Sequence, residues 1–169
     1  MIKEYYGYTP KVHESAFVAE NATIVGNVEI GQNCGVWFGV VIRSEGAPVR
    51  MGDESNIQDN SVIHVTPGLP CTIGNRVSIG HGAIIHSSTI GDGCLIGMGA
   101  ILLNRSVIGK NCFIGAGTVV SEGMVVPDGM LVVGSPAKII GPVSEKLAQV
   151  RERAGSIYIE HSEKAKEME

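Results

Sequence analysis

The stretch Ile90-Gly91-Asp92-Gly93-Cys94-Leu95-Ile96-Gly97-Met98-Gly99-Ala100-Ile101-Leu102 decides the fold. Aliphatic residues stand at 90, 96 and 102, six apart, and the first two are followed by glycine. An α-helix cannot hold that register, because six residues drift off any single helical face. A short strand that ends in a sharp turn can hold it. Working outward, the same spacing runs back through Ile85, Ile79, Ile73, Ile63, Ile57, Met51, Ile42, Val36, Ile30, Ile24 and Val18. It runs forward through Ile108, Ile114, Val120, Val126 and Val132. That makes nineteen six-residue units, each with an aliphatic first position.

The fourth position of each unit supplies the turn. It is Gly or Asn in twelve of the nineteen units, among them Asn21, Asn27, Asn33, Gly39, Asn60, Gly82, Gly99 and Gly117. These residues tolerate the left-handed backbone that a sharp corner demands. The fifth position is usually small, as at Ala22, Ser61, Ala83, Ala100 and Thr118. Cys34, Cys94 and Cys112 occupy that slot too, which makes them small inward fillers. With Cys71 they form no CxxC pair, so neither a thiolate zinc site nor a redox pair is expected. Three units per turn predict a three-faced prism of about six turns with strands about 4.8 Å apart.

Three departures interrupt the count. Three extra residues lie between Ile42 and Met51, four lie between Ile63 and Ile73, and one is missing between Ile85 and Ile90. Function is expected where a strict repeat breaks. After Lys138 the repeat stops, and Ser144 stands as an N-cap before a helix that carries Leu147, Val150, Ala154 and Ile157 at helical spacing. The expected organisation is a β-helix domain over 1–141 and a C-terminal helix over 142–169 packed on one prism face. The charged residues from His161 onward are expected to fray.

The remaining composition narrows the class. The 169 residues carry a net charge of −4 with no dense Lys/Arg run, so neither nucleic acid nor an anionic membrane surface is an expected partner. The first fifteen residues include Lys, Glu and His instead of a long apolar stretch, and no later stretch reaches the length of a membrane span. A soluble cytoplasmic protein is the expectation.

Three of the five histidines fall within 23 residues. His64 and His86 are second-position residues on the same face, one turn apart. A second-position side chain neighbours an inward one on a short strand and therefore points outward. The two rings are expected about 5 Å apart on one surface, close enough to share a metal. Arg43 occupies the same slot one turn below His64. His81 is a third-position residue around a corner, on a different face. One chain does not aim all three rings at one ion, whereas copies packed side by side do. The expected assembly is a homotrimer with three interfacial metal sites. His13 and His161 lie outside the pattern and read as surface residues.

The segments Asn56-Ile57-Gln58-Asp59-Asn60-Ser61-Val62-Ile63-His64, Ile79-Gly80-His81-Gly82-Ala83-Ile84-Ile85-His86 and Ile96-Gly97-Met98-Gly99-Ala100 resemble the γ-class carbonic anhydrase family over about residues 10 to 140. The resemblance implies an all-β fold, a left-handed parallel β-helix of hexapeptide repeats with a C-terminal α-helix. It also implies a trimer with interfacial Zn or Fe held by His64, His81 and His86. In that family the position of Arg43 pairs with an acidic residue across the interface, near the bicarbonate site. Gln58 matches a residue that hydrogen-bonds the metal-bound solvent. Asp59 matches an acidic partner in the arginine and active-site network, and Asn56 matches a polar residue near the substrate pocket. Glu45 stands where the family usually has Asp, which keeps the charge and lengthens the side chain.

What the resemblance implies is reversible hydration of CO2 to bicarbonate. Three neutral imidazoles leave a divalent metal net positive with open positions, and such a cation lowers the pKa of bound water from 15.7 to about 7. Imidazole ligands suit Zn, Fe, Co and Ni alike. One branch of the family carries a proton-shuttling acidic loop after the first histidine, but the loop from Thr66 to Thr72 here has no carboxylate. Two other readings compete. Val133-Gly134-Ser135-Pro136-Ala137-Lys138 also occurs in hexapeptide-repeat acyltransferases, which need one histidine base and a coenzyme A groove. A non-catalytic metal-binding assembly protein would keep the same histidines.

Overall fold

The computed structural model describes residues 1–167; Met168 and Glu169, assigned above to the C-terminal helical region, lie outside the described residues. The chain folds as a left-handed parallel β-helix of about seven turns with one C-terminal helix. The extra turn beyond the hexad count comes from the N-terminus. Ile2–Lys3 and Lys11–Val12 both pair in parallel with Thr23–Ile30 and add rungs below it.

Each unit supplies a strand of about two residues, and every regular turn places a residue above its equivalent in the turn below. Ile57, Ile79, Ile96 and Ile114 form one such column. They are fully buried, as are Ile24, Ile42, Ile63, Ile85, Leu102 and Ile108. Burial of each contributes about 1.5–3 kcal/mol relative to exposure. One face of the prism is an eight-stranded sheet. The other two merge into a twelve-stranded sheet, because Thr23–Ile30 and Val41–Met51 each run continuously around a corner.

The corners follow the fourth-position rule with informative exceptions. Asn33, Gly39, Asn60, Gly82, Gly99 and Gly117 are left-handed, but so are Glu54, Arg76 and Arg105, with φ of 56°, 53° and 59°. The stacked coil imposes the corner even on residues that disfavour it. Asn21 and Asn27 do not adopt it; they bond across turns instead, Asn21 Oδ1 accepting from Gly39 N and Asn27 Nδ2 donating to the Gly46 carbonyl. The fifth-position thiols are more than fillers. Cys34, Cys94 and Cys112 donate to the carbonyls of Gly52, Gly109 and Pro127, as Ser55 and Ser61 do to those of Gly74 and Gly80. Burial pushes the Cys71 thiol up to about 12 and the Cys34 thiol up to about 11. All four cysteines are free.

The top of the coil is finished by a reversal. Met130–Val133 pairs antiparallel with Lys138–Pro142. Helix Glu145–Lys166 follows, with the Ser144 side chain accepting from Leu147 N. It lies along the eight-stranded face and runs on to Lys166, with Ser162 and Ala165 buried, so its last turns are packed and not frayed. Its inner stripe differs from the expected one. Val150 is exposed, while Gly155, Tyr158, Ser162 and Ala165 meet the sheet. The sheet presents small and polar residues there, Gly35, Asn56 and Ser78, so small helical residues fit it better than Val150. A Cβ at Gly35 would stand 2.5 Å from Ser162 Oγ and 2.8 Å from Trp37 Nε1. Among the described residues, no helix is long and apolar enough to cross a membrane.

Candidate metal centre

The three departures from the repeat surround one pair of side chains. The extra residues after Ile42 form a protrusion in which Ser44 Oγ donates to the Ala47 carbonyl. It carries Glu45 over the next turn, where Glu45 Oε2 lies 3.0 Å from His64 Nε2. Arg43 pairs with Glu45 within the same chain. The loop after His64 is held by Ser87, whose Oγ accepts from Thr66 N and donates to the Leu69 carbonyl. The missing residue after Ile85 makes Ser87 itself the left-handed corner, with φ of 45°.

His64 and His86 stack in register, with ring centroids 4.9 Å apart, and His64 Nδ1 faces His86 Nε2 at 2.9 Å. On its far side, His86 Nδ1 lies 2.6 Å from Asn104 Oδ1. Asn104 Nδ2 donates to Thr66 Oγ1, which turns the amide oxygen toward the ring.

Counting protons along this string shows what it can hold. Asn104 Oδ1 calls for a proton on His86 Nδ1, leaving a lone pair on His86 Nε2. Glu45 calls for a proton on His64 Nε2, leaving a lone pair on His64 Nδ1. The two lone pairs then point at each other. A third proton would settle the junction only by charging a ring, and His64 is held below the usual imidazole range, first by burial, then by Arg43 and His86. A cation between the nitrogens settles it without charging either ring. Two nitrogens bound at about 2.1 Å in tetrahedral geometry stand about 3.4 Å apart, so the pair fits after opening by about 0.5 Å.

The other expected site residues form a second group on the eight-stranded face. Asp59 and His81 hold the same slot in successive turns, and His81 Nδ1 lies 2.8 Å from Asp59 Oδ2. That contact orients the ring and leaves Nε2 as the outward nitrogen. Gln58 and Asn56 are buried below it. Gln58 Nε2 donates to Asn56 Oδ1 at 3.2 Å, and Asn56 Nδ2 donates to Ser78 Oγ at 2.9 Å. His81 Nε2 is met at 3.2 Å by the hydroxyl of Tyr158 on the C-terminal helix. Burial, then Asp59, pushes that phenol above its usual range.

One chain therefore carries two separate groups of the expected site residues. Arg43, Glu45, His64 and His86 gather on one face; Asn56, Gln58, Asp59 and His81 gather on another. Among the described residues, no single cluster of three or more His, Cys, Asp or Glu side chains is arranged to hold a metal ion. Two neighbours of the histidines escaped the sequence reading, Asn104 and Tyr158. Asn104 carried a usable signal, since it stands one slot beyond Leu103, the residue stacked on His86. Tyr158 reaches His81 across 77 residues, and no local spacing announces it.

Comparison with known proteins places this geometry among relatives. Residues 87–122 match the family described as bacterial transferase hexapeptide (six repeats). The chain is 46% identical over 160 residues to a carbonic anhydrase of Geobacillus kaustophilus, covering 95% of this chain and 88% of that protein. It is 49% identical over 160 residues to the uncharacterized transferase YtoA of Bacillus subtilis, covering 95% and 94%. The crystal structure of a hexapeptide transferase family protein from Anaplasma phagocytophilum superposes with a TM-score of 0.91 at 36% identity, covering 95% of each chain.

Proposed function

Because the chain belongs to the γ-class carbonic anhydrase family of hexapeptide-repeat proteins, we propose that it is a metal-dependent enzyme that reversibly hydrates CO2 to bicarbonate, acting as a homotrimer. The observation that carries this reading is the junction of His64 Nδ1 and His86 Nε2, where two lone pairs converge. His81 stands apart on another face, and it completes the ligand set from a neighbouring copy when its Nε2 exchanges the Tyr158 hydroxyl for the metal. A divalent cation held there supplies a Lewis acid that lowers the pKa of a water from 15.7 to about 7. Zinc fits the three imidazoles, as do Fe, Co and Ni.

The chain's own residues supply the rest. Gln58 gives its amide N–H to Asn56, so its Oε1 is left to accept a hydrogen bond from the attacking water and orient it. Arg43 keeps guanidinium N–H donors beyond those used on Glu45, and these receive the oxygens that become bicarbonate. Asp59 fixes the His81 ring. The loop from Thr66 to Thr72 offers no carboxylate, so the released proton leaves through buffer. Metal analysis combined with a CO2 hydration assay tests the proposal. Protein carrying about one metal per chain and accelerating hydration supports it. Fully metallated Zn, Fe(II) and Co forms that all fail at alkaline pH in ample buffer overturn it, and a metal-holding assembly role then stands in its place.

The transferase names of the Bacillus subtilis and Anaplasma relatives favour a second reading, acyl transfer from coenzyme A. That reading requires acetyl-CoA to bind and be consumed, with one histidine as base. It leaves the paired lone pairs of His64 and His86 without a role.

A further inference from the structure

We propose that Asn104 is the positioning residue of His86: it holds the proton on Nδ1, aims the Nε2 lone pair at the metal position, and is itself braced by the loop that begins at Thr66. This rests on the metal reading above. Leu102 stacks on Ile85, as first positions do in every turn, so Leu103 falls above His86. Asn104 stands one slot further toward the corner and reaches back to His86 Nδ1 at 2.6 Å.

An amide suits this place because it both accepts and donates. Its oxygen takes the His86 N–H, and its nitrogen gives to Thr66 Oγ1. Thr66 N donates to Ser87 Oγ, and Ser87 N donates to the His64 carbonyl. The braces of the two rings therefore close on each other through Thr66 and Ser87. The inserted loop has no carboxylate to carry protons, and it serves instead to fix the outer partner of a ligand. Asn104 adds no negative charge to the centre, unlike the carboxylates that face His64 and His81. A cation held there keeps more of its acidifying power than it would beside a third carboxylate.

The test uses the full-length protein, zinc as the probe, and Asn104→Ala, Asn104→Asp and Thr66→Val. Long-range proton–nitrogen spectra of the metal-free imidazoles report which His86 nitrogen carries the proton. Chelator competition reports zinc affinity. In the wild type the His86 proton sits on Nδ1. Asn104→Ala shifts it toward Nε2 and weakens zinc binding by about 10- to 100-fold without changing the stoichiometry. Asn104→Asp restores the Nδ1 proton and the affinity, and moves the rise of activity to higher pH. Thr66→Val gives a smaller change in the same direction, and it decides the matter if Asn104→Ala does not fold. An Asn104→Ala protein with the wild-type tautomer, or with wild-type zinc affinity, overturns this inference alone. Wild-type protein that binds no zinc overturns the metal reading, and this inference with it.

Discussion

His64 Nδ1 and His86 Nε2 face each other at 2.9 Å although 22 residues separate them in the chain. A regular turn of this coil takes 18 residues, as between Ile96 and Ile114. The four extra residues after Ile63 loop outward and leave the register untouched, so the two rings still stack. The insertion thus adds a bracing loop without disturbing the histidine pair.

Shared ligands predict complementation between defective chains. His64→Ala and His81→Ala proteins should each lose most of their metal. After subunit exchange, an interface that joins the His64 and His86 of one chain to the intact His81 of its neighbour regains a complete set. Each mixed trimer should recover about one metal, read by elemental analysis after sizing. Confirmed exchange with no recovered metal would remove the interfacial geometry.

Turnover should depend on Gln58 and on external buffer. Gln58→Ala should keep its metal and lose about 10²-fold in kcat, the usual cost of removing one well-placed polar group from a reacting centre. Arg43→Ala should also slow hydration, and it releases Glu45 as well. Rates of the unmodified protein should climb with buffer concentration at constant pH. A rate independent of buffer would mean that another group exports the proton.

The central column should carry much of the stability. Ile79 is fully buried between Ile57 and Ile96. Ile79→Ala should cost about 2–5 kcal/mol, measured by denaturant unfolding of metal-free protein. A loss below about 1 kcal/mol would mean that the coil collapses around the gap.

Acid should erase a small contribution from Asp92. Its carboxyl is held below the usual range, first by the Asn75 backbone N–H and then by Lys110. A depressed carboxylate stabilises the folded chain above its unfolded value near 3.9 and ceases to as pH falls through the lower folded value. Asp92→Asn keeps a side-chain oxygen that can accept from Asn75 N and loses the charge. The wild type should melt higher at neutral pH by less than about 3 °C, since the pair is exposed. That gap should narrow as pH falls below the unfolded value near 3.9 and on through the lower folded one. A gap that persists unchanged at pH 2 contradicts the assignment.

Much of the fold could be read from the chain because period six leaves no other regular solution once every first position is aliphatic. The stacking of His64 on His86 followed from the same count. Other features depend on neighbours that only the folded chain supplies. Arg76 and Arg105 take left-handed corners because the turns above and below dictate them, not because of their own preference. The helix stripe is displaced because its partner face is small and polar at Gly35, Asn56 and Ser78. Asn104 was within reach of register arithmetic, since Leu102 stacks on Ile85 and puts it one slot beyond the residue above His86. Tyr158 was not, because a helix laid across the sheet brings it there.

The reversal at Lys138–Pro142 matters beyond finishing the coil. A parallel solenoid is a template that could grow by adding the next copy's first rung, with open edge strands as its growing tip. Here the chain turns back on itself antiparallel over the eight-stranded face, and Gly134 and Ala137 occupy the backbone groups of Val119 on a second. Among the described residues, only the two-residue edge Val125–Val126 is left on the third, too short to nucleate a fibre. The molecule is thereby capped against end-to-end polymerisation, and its sides are the surfaces open to the side-by-side packing that the proposed trimer requires.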